Sequence, residues 1–463
     1  MSKTIIYQML PRLWGEGRVA SVDDATLDYL SGLGVSHLWC TGIIRHSTGQ
    51  PFVKGDAGSP YAISDYYDVN PYLASVPSRR MSEFRSLVRR VHSHGIRFII
   101  DFVPNHVGCN YSDHSGGIPL CGWHDYDWSD TVKIDYSAPG TWDAMYRIVR
   151  FWAMKGVDGF RCDMVELVPP EFLKWLIAKI KEEFPSVVFI AEVYQKEKYR
   201  MYIEDVRFDY LYDKSGLYDV LRAVTAGHGT ARAITWNWQF LQDLQPHMLN
   251  FLENHDEQRL ASPWFAGRAD CFALLCASLM LNTAPFMLYF GQETGVDASE
   301  GHEGRTSIFN FAKPASLKRL CAYVHGEGES LTAEELSVLA RYRAALATAA
   351  GNAVSEGLTF DLCYCQSASD GFDADRHFAF LRHYADSSFR TVPADKEDVT
   401  DACPGVVSSD STLLFVCNFS ASEARMTVRI PRHAVEYLGL GSDPCPDGIP
   451  VTVAPFGYAA IPL

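Results

Sequence analysis

Between residues 5 and 350, short apolar segments of strand character alternate with helical ones, and this alternation limits the fold more than any other feature of the chain. The strand candidates are Ile5–Gln8, Val35–Cys40, Arg97–Val103, Val157–Asp163, Val187–Val193, Phe208–Tyr212, Met248–Leu252 and Phe286–Phe290. Between them lie amphipathic stretches such as Ser82–His94, which puts Phe84, Leu87, Val88 and Val91 on one helical face. Trp142–Met154 and Glu171–Phe184 repeat that spacing, and Gly95 and Gly156 stand where helix C-caps belong. Eight strands alternating with helices, strand first, predict a TIM (β/α)8 barrel. The run Cys271–Phe290 is apolar enough to suggest a membrane span. Asn282, Thr283 and Pro285 interrupt it and no Lys/Arg cluster flanks it, so it reads as a buried helix followed by strand eight.

The rhythm breaks once, in a long interval from Asn105 to Gly140 that is rich in Gly, His, Asp and aromatics. A loop of that length inside a compact domain is a functional excursion. After Ala350 the texture changes to short segments of period two: Leu358–Cys365, His377–His383, Leu413–Phe419, Ala424–Ile430 and Ile449–Leu463. The expected organisation is a barrel over 1–352, with the insertion at 105–140, and an antiparallel β-sandwich domain over 353–463. The polar run Arg390–Ser411 is expected to be a surface loop of that second domain.

A net charge of −15 without basic runs argues against nucleic acid and anionic membranes as partners. Twelve cysteines lie scattered without framework or zinc spacing, as suits reduced thiols, and Cys363-Tyr364-Cys365 alternates as in a strand. Met1-Ser2-Lys3 leads directly into the first strand with no signal-peptide pattern, so the expected location is cytoplasmic. Ten Trp and 23 Tyr suit a surface that stacks on sugar rings, although a large core accounts for most of them.

Barrels of this kind carry their chemistry at the C-terminal ends of the strands. Strand three ends in Asp101-Phe102-Val103-Pro104-Asn105-His106, strand four in Arg161-Cys162-Asp163, strand five in Ile190-Ala191-Glu192, and strand seven in Glu253-Asn254-His255-Asp256. Asp163, Glu192 and Asp256 therefore converge on one mouth, with His106, Arg161 and His255 beside them. Period two aims Arg161 and Asp163 the same way, and the guanidinium is expected to keep that carboxylate ionised. Two carboxyls about 5–5.5 Å apart are the equipment of a retaining glycosidase. On that reading Asp163 is the nucleophile and Glu192 the acid/base, its proton affinity raised by the neighbouring acids. Asp256 binds sugar hydroxyls as the ring distorts, and His106 and His255 donate to hydroxyls nearby.

Together these four strand-end motifs resemble, in order, the four sequence signatures of the α-amylase family of glycoside hydrolases. Ser59-Pro60-Tyr61, Asp65-Tyr66-Tyr67-Asp68-Val69-Asn70-Pro71 and Leu288-Tyr289-Phe290-Gly291-Gln292-Glu293 extend the resemblance across the barrel. It implies Asp163 as nucleophile, Glu192 as acid/base and Asp256 as transition-state stabiliser. It also implies that Tyr61 stacks on the sugar at the cleavage site, and that His106, Arg161 and His255 bind there. The interval 105–140 corresponds to a short B domain, which favours short oligosaccharides, and residues 353–463 to the family's C-domain. The implied substrates are starch-derived glucans or maltooligosaccharides cleaved at α-glucosidic bonds. Many starch-cleaving members carry Lys-His three and four residues beyond the nucleophile; here those positions hold Glu166 and Leu167.

The chemistry requires no cofactor. Family members often bind calcium through the Asn matching Asn105 together with B-domain oxygens, for which Asp113, Asp125, Asp127 and Asp130 are the candidates. His106, Cys109, His114, Cys121 and His124 are too irregularly spaced for zinc. Trp123, Tyr126 and Trp128 are either sugar platforms or the loop's own small core, and Trp236 and Trp238 share that ambiguity. Three alternatives stand beside a hydrolase. An α-glucan transglycosylase or an α-glucosidase on short oligosaccharides would use the same groups. A non-catalytic amylase-like binding protein would be expected to lose acids of the triad. A metal-dependent barrel hydrolase would need His-x-His or a carboxylated Lys at strand ends, and neither occurs.

Overall fold

The computed structural model describes residues 3–112, 117–327, 330–385, 411–440 and 447–463. Eight parallel strands close into a barrel: β1 (Ile5–Met9), β2 (His37–Cys40), β3 (Arg97–Phe102), β4 (Gly159–Cys162), β5 (Val188–Ala191), β6 (Tyr210–Tyr212), β7 (Met248–Phe251) and β8 (Phe286–Tyr289). Each strand pairs with its sequence neighbours, and β1 closes the ring on β8. All eight expected segments are therefore barrel strands. Their side chains are almost all buried, because helices cover the outer face and side chains fill the interior.

The helices follow from their patterns. Arg80–Ser93 buries Phe84, Leu87, Val88 and Val91, the face expected from the sequence. Gly95 and Gly156 take φ values of +71° and +93° just past their helices, a region open to glycine at no cost. The apolar run splits as anticipated into the buried helix Phe272–Met280 and strand β8. Among the described residues no helix is long and apolar enough to cross a membrane.

Two excursions rise from the C-terminal end of the barrel. After β2 the chain forms a hairpin of Ile44–His46 with Ile63–Val69. After β3 a second hairpin pairs His106–Gly108 with Thr131–Lys133, and a bridge joins Leu120 to Ile134.

The C-terminal region pairs β9 (Leu358–Asp361), β10 (His377–His383), β11 (Thr412–Asn418) and β14 (Tyr458–Pro462) into an antiparallel sheet. The hairpin of β12 (Ala424–Val428) with β13 (Ile449–Val453) and the helix Arg432–Leu438 pack on one face of it around Leu381, Leu414, Val416, Met426, Val428 and Val451. Arg382, fully buried, fastens this region to the barrel by donating to the carbonyls of Ala353, Val354 and Leu281. Two expectations need correction. Cys363–Cys365 is a 3-10 turn rather than strand, because the Asp361 carboxylate accepts the Cys363 N–H at 2.8 Å and turns the chain. Ile449–Leu463 is two strands, broken at Phe456 (φ +52°), where Gly457 N–H closes a turn on Ala454. Nearly all of the polar run 390–411 lies outside the described residues.

Candidate active site

The barrel registers place the strand-end acids side by side. Asp101 stands opposite Arg161, and Cys162 opposite Ala191, so Asp163 and Glu192 follow the last paired residues of adjacent strands. One guanidinium joins them: Arg161 Nη1 lies 2.7 Å from Asp163 Oδ1, and Nη2 lies 2.9 Å from Glu192 Oε2. Asp101 approaches the same Nη1 at 3.8 Å. Arg161 is wholly buried among Trp39, Tyr61 and Tyr212, whose rings lie 5.3–5.7 Å from its central carbon, and its Nε donates to the Tyr212 hydroxyl at 3.3 Å.

Local backbone aims the rest. Met164 holds φ +45° and ψ +43°, a costly region for a side chain with Cβ, and its N–H donates to Glu192 Oε2 at 2.9 Å. The other oxygen, Glu192 Oε1, accepts from the Tyr194 hydroxyl at 2.7 Å. On the β7 side the Asn254 side chain accepts the N–H groups of Asp256 and Glu257, making a tight turn that presents His255 and Asp256. His255 Nε2 lies 3.0 Å from Asp256 Oδ2, and Nδ1 is hydrogen-bonded to Gln8 at 2.7 Å. Tyr61 stacks on His255 with ring centres 5.3 Å apart and bonds it through its hydroxyl. Gly58, just before Ser59-Pro60-Tyr61, has φ +69°, and a Cβ there would sit 2.0 Å from the Ser47 carbonyl oxygen; only glycine lets the loop carrying Tyr61 pass.

Asp163, Glu192, Asp256, Tyr61, Arg161 and His255 are thus brought together. His106 is buried on the second hairpin, against the Tyr61 backbone and 5.3 Å from the Trp128 ring, and burial lowers its pKa to about 4. Asp256, 40% exposed, faces an open cleft of about 490 Å³ lined also by Lys54, Arg305 and Phe309. Arg305 donates to its backbone carbonyl at 2.8 Å.

Charge at the site departs from the sequence expectation. Asp163 lies well above the ordinary carboxylate range rather than being kept low by Arg161. Burial is the main cause, Glu192 and Asp256 repel in the same direction, and the opposing guanidinium is shared with Glu192. Asp101 is raised as well, again chiefly by burial. Asp256 is held at about 2, because His255, Arg161 and Arg305 together outweigh the enclosure that pushes it up. The cluster therefore combines one carboxyl that resists ionisation with one whose ionised form is favoured.

Several contributors escaped the sequence reading. Tyr194 lies two residues beyond Glu192, and period two alone could have placed it on the same face. Trp39 and Tyr212 line the cluster from positions the sequence marks only as apolar core, and Gln8 joins them as a buried amide near the end of β1. Glu166 turns away from the acids: its carboxylate accepts the N–H groups of Tyr194 at 2.8 Å and Gln195 at 3.3 Å. The aromatic ambiguity resolves unevenly. Trp128 packs on His106 and Tyr126, while Trp123 and Trp236 stand more than half exposed. Trp238 packs against the barrel core.

Among the described residues no three His, Cys, Asp or Glu side chains group to hold a metal ion. Asn105 and Asp125, two of the residues offered for calcium, both bind the Lys133 ammonium. Asp130 is buried, with Lys54 3.6 Å away. Asp113 and His114 lie outside the described residues.

The sequence model of the alpha-amylase catalytic domain matches residues 23–142 and 123–328, and the chain belongs to the alpha-amylase family. It is 23% identical over 343 residues to alpha-amylase 3 of Dictyoglomus thermophilum, a match covering 65% of each chain. It is 29% identical over 223 residues to an alpha-1,4-glucan:maltose-1-phosphate maltosyltransferase of Cereibacter sphaeroides, covering 42% of this chain and 32% of that one. The chain thus spans about two thirds and one third of the length of these two relatives. The structure of a noncanonic maltogenic alpha-amylase from Thermotoga neapolitana shares the fold, with a TM-score of 0.68 at 21% identity over 99% of this chain and 96% of the other.

Proposed function

We propose that the chain is a retaining glycoside hydrolase acting on α-glucosidic bonds of starch-derived glucans or maltooligosaccharides. The observation that carries this is the single guanidinium of Arg161 bridging Asp163 and Glu192 at the ends of adjacent strands, with Asp256 across the mouth. Arg161 engages Asp163 Oδ1, so Oδ2 is the oxygen offered to the anomeric carbon. Its attack forms a covalent glycosyl-enzyme as the glycosidic C–O bond breaks and Glu192 gives the leaving oxygen a proton. Glu192 Oε2 is taken by Arg161 and the Met164 N–H, so the proton moves through Oε1, beside Tyr194. Water then attacks the anomeric carbon, Glu192 takes back a proton, and Asp163 leaves. The excess of carboxylates over cations around Arg161 favours keeping the one proton this cycle needs within the site. Asp256, whose ionised form is favoured and which is 40% exposed to the cleft, binds sugar hydroxyls and favours the oxocarbenium-like transition state. Tyr61, His255 and His106 form the wall against which the sugar stacks and hydrogen-bonds.

Transfer to a sugar acceptor is the second reading, supported by the likeness to a maltosyltransferase and by Glu166 and Leu167 where starch-cleaving members carry Lys-His. An α-glucosidase on short oligosaccharides would use the same groups. All three acids converge on the mouth, which speaks against a non-catalytic role. The ten cysteines among the described residues are unpaired, and we place the protein in a reducing compartment, the cytoplasm.

The test is turnover of maltoheptaose by Glu192→Gln. A loss on the order of 10³-fold or more is expected with an unchanged circular dichroism spectrum. Turnover near wild type would overturn the mechanism. Product analysis with and without added maltose separates hydrolysis from transfer.

A further inference from the structure

The resemblance offers Asn105 and B-domain oxygens for calcium, and the donors present do not fit that ion. Lys133 Nζ lies 3.0 Å from Asn105 Oδ1, 3.1 Å from Asp125 Oδ1 and 2.8 Å from Asp125 Oδ2. Three oxygens around one nitrogen match the three N–H donors of an ammonium. Calcium needs six to eight oxygens at about 2.3–2.6 Å, and these three are already committed. The Trp123 ring covers the ammonium from another side, 5.2 Å away. Lys133 and Asp125 are only 16% and 13% exposed, so neither leaves the network without a desolvated charge remaining.

Backbone bonds make the arrangement part of the hairpin. The Lys133 N–H donates to Trp123, and the Ile134 N–H donates to Asn105. The Asn105 amide links Asp125, at 2.9 Å, to His106 Nδ1, at 3.2 Å. A cation at this point therefore holds the excursion after β3 onto the barrel and sets the ring of His106 behind Tyr61.

We propose that the Lys133 ammonium is a built-in cation standing in for calcium, so that this loop is metal-independent and Lys133 is a positioning residue for His106. A dissociable divalent ion is replaced by a charge tethered to the strand His106 pairs with: His106 lies directly opposite Lys133 in the hairpin. Calcium arriving at Asn105 and Asp125 would meet an ammonium within about 3 Å, and that repulsion is strong where water is scarce.

Two measurements on the purified full chain decide the matter. First, the thermal midpoint is recorded after exhaustive dialysis against EDTA and again with calcium chloride restored. No shift is expected; a rise of several degrees on adding calcium would overturn the proposal. Second, Lys133→Met keeps most of the apolar stem and removes the charge. In EDTA its midpoint is expected to fall by several degrees and its kcat/KM on maltoheptaose by roughly tenfold or more. Asp125→Asn should produce a similar loss, and the double variant should be no worse than either single one, since both delete the same pair. A Lys133→Met chain as stable as wild type in EDTA would sink the idea. The wild-type titration decides even where a variant yields no folded protein, and it does so independently of which bonds the cleft cleaves.

Discussion

Among the described residues, two buried arginine–carboxylate pairs stand at barrel strand ends, and they do opposite things. Arg259 pairs with Glu253 at 2.9 Å beyond β7, donates to the Phe290 carbonyl at 2.9 Å, and its Nε donates a hydrogen bond to the Thr306 hydroxyl at 2.8 Å. Glu253 uses its second oxygen to accept the Leu260 N–H at 2.8 Å. That is one cation paired directly with one anion, with two fixed acceptors beside it, and it ties the β7 turn to the loop after β8. Arg161 instead faces Asp163, Glu192 and, farther off, Asp101, with Asp256 close by. Burial pushes both Glu253 and Asp163 upward; Glu293 adds to the push at Glu253, and Glu192 and Asp256 both add to it at Asp163. Balanced charge makes a brace; an excess of acids around one guanidinium makes a site poised to move a proton.

The largest effect should come from Asp163→Asn. Turnover of a maltooligosaccharide is expected to fall by on the order of 10⁴-fold, because the amide cannot form the glycosyl-enzyme. Its stability should move the other way. A carboxyl raised in the folded state contributes stability that is complete below its unfolded value of about 3.9 and is lost as pH rises through the raised folded value. Asparagine escapes that loss, so the variant should gain over wild type at pH 7 and gain little at pH 4, as read by thermal midpoints at both. A variant less stable than wild type at pH 7 would show that Asp163 is a brace after all.

Glu253→Gln should invert that outcome. It leaves the Arg259 charge buried without its counter-ion, at a cost of about 3–5 kcal/mol in urea unfolding, while folded molecules keep their turnover per active site. Should Glu253→Gln lose activity and keep stability, the distinction between the two arginines would collapse.

These differences show what the sequence could carry. Barrel strands are buried on both faces, so Ile5–Met9 or Phe286–Tyr289 read as continuous apolar runs, and the acids at their ends stand out against them. Asp163, Glu192 and Asp256 were therefore legible as strand-end acids. How strongly Arg161 acts on Asp163 was not, because the sharing of one guanidinium depends on the register of β3, β4 and β5. The ammonium of Lys133 was missed for the same reason: its partners lie 8 and 28 residues away and meet only across a hairpin. Cys363–Cys365 misled because alternation is a strand signal only where a neighbour accepts the backbone, and there Asp361 took the N–H first.

The finest distinction lies at Tyr194, 38% exposed at the mouth, which is either a surface for the departing sugar or a hand on the acid. Its hydroxyl donates to Glu192 Oε1, and its backbone N–H is pinned by Glu166. Tyr194→Phe keeps the ring and the pinning and deletes only the hydroxyl. A hydrogen bond to a charged group contributes about 1.5–3 kcal/mol, so kcat should fall roughly tenfold with KM nearly unchanged. Glu166→Gln, which weakens the pinning while leaving the hydroxyl in place, should cost only a few-fold in kcat. If Tyr194→Phe raised KM and spared kcat, the residue would belong to sugar binding, and Oε1 of Glu192 would be oriented by Arg161 and Met164 acting through Oε2.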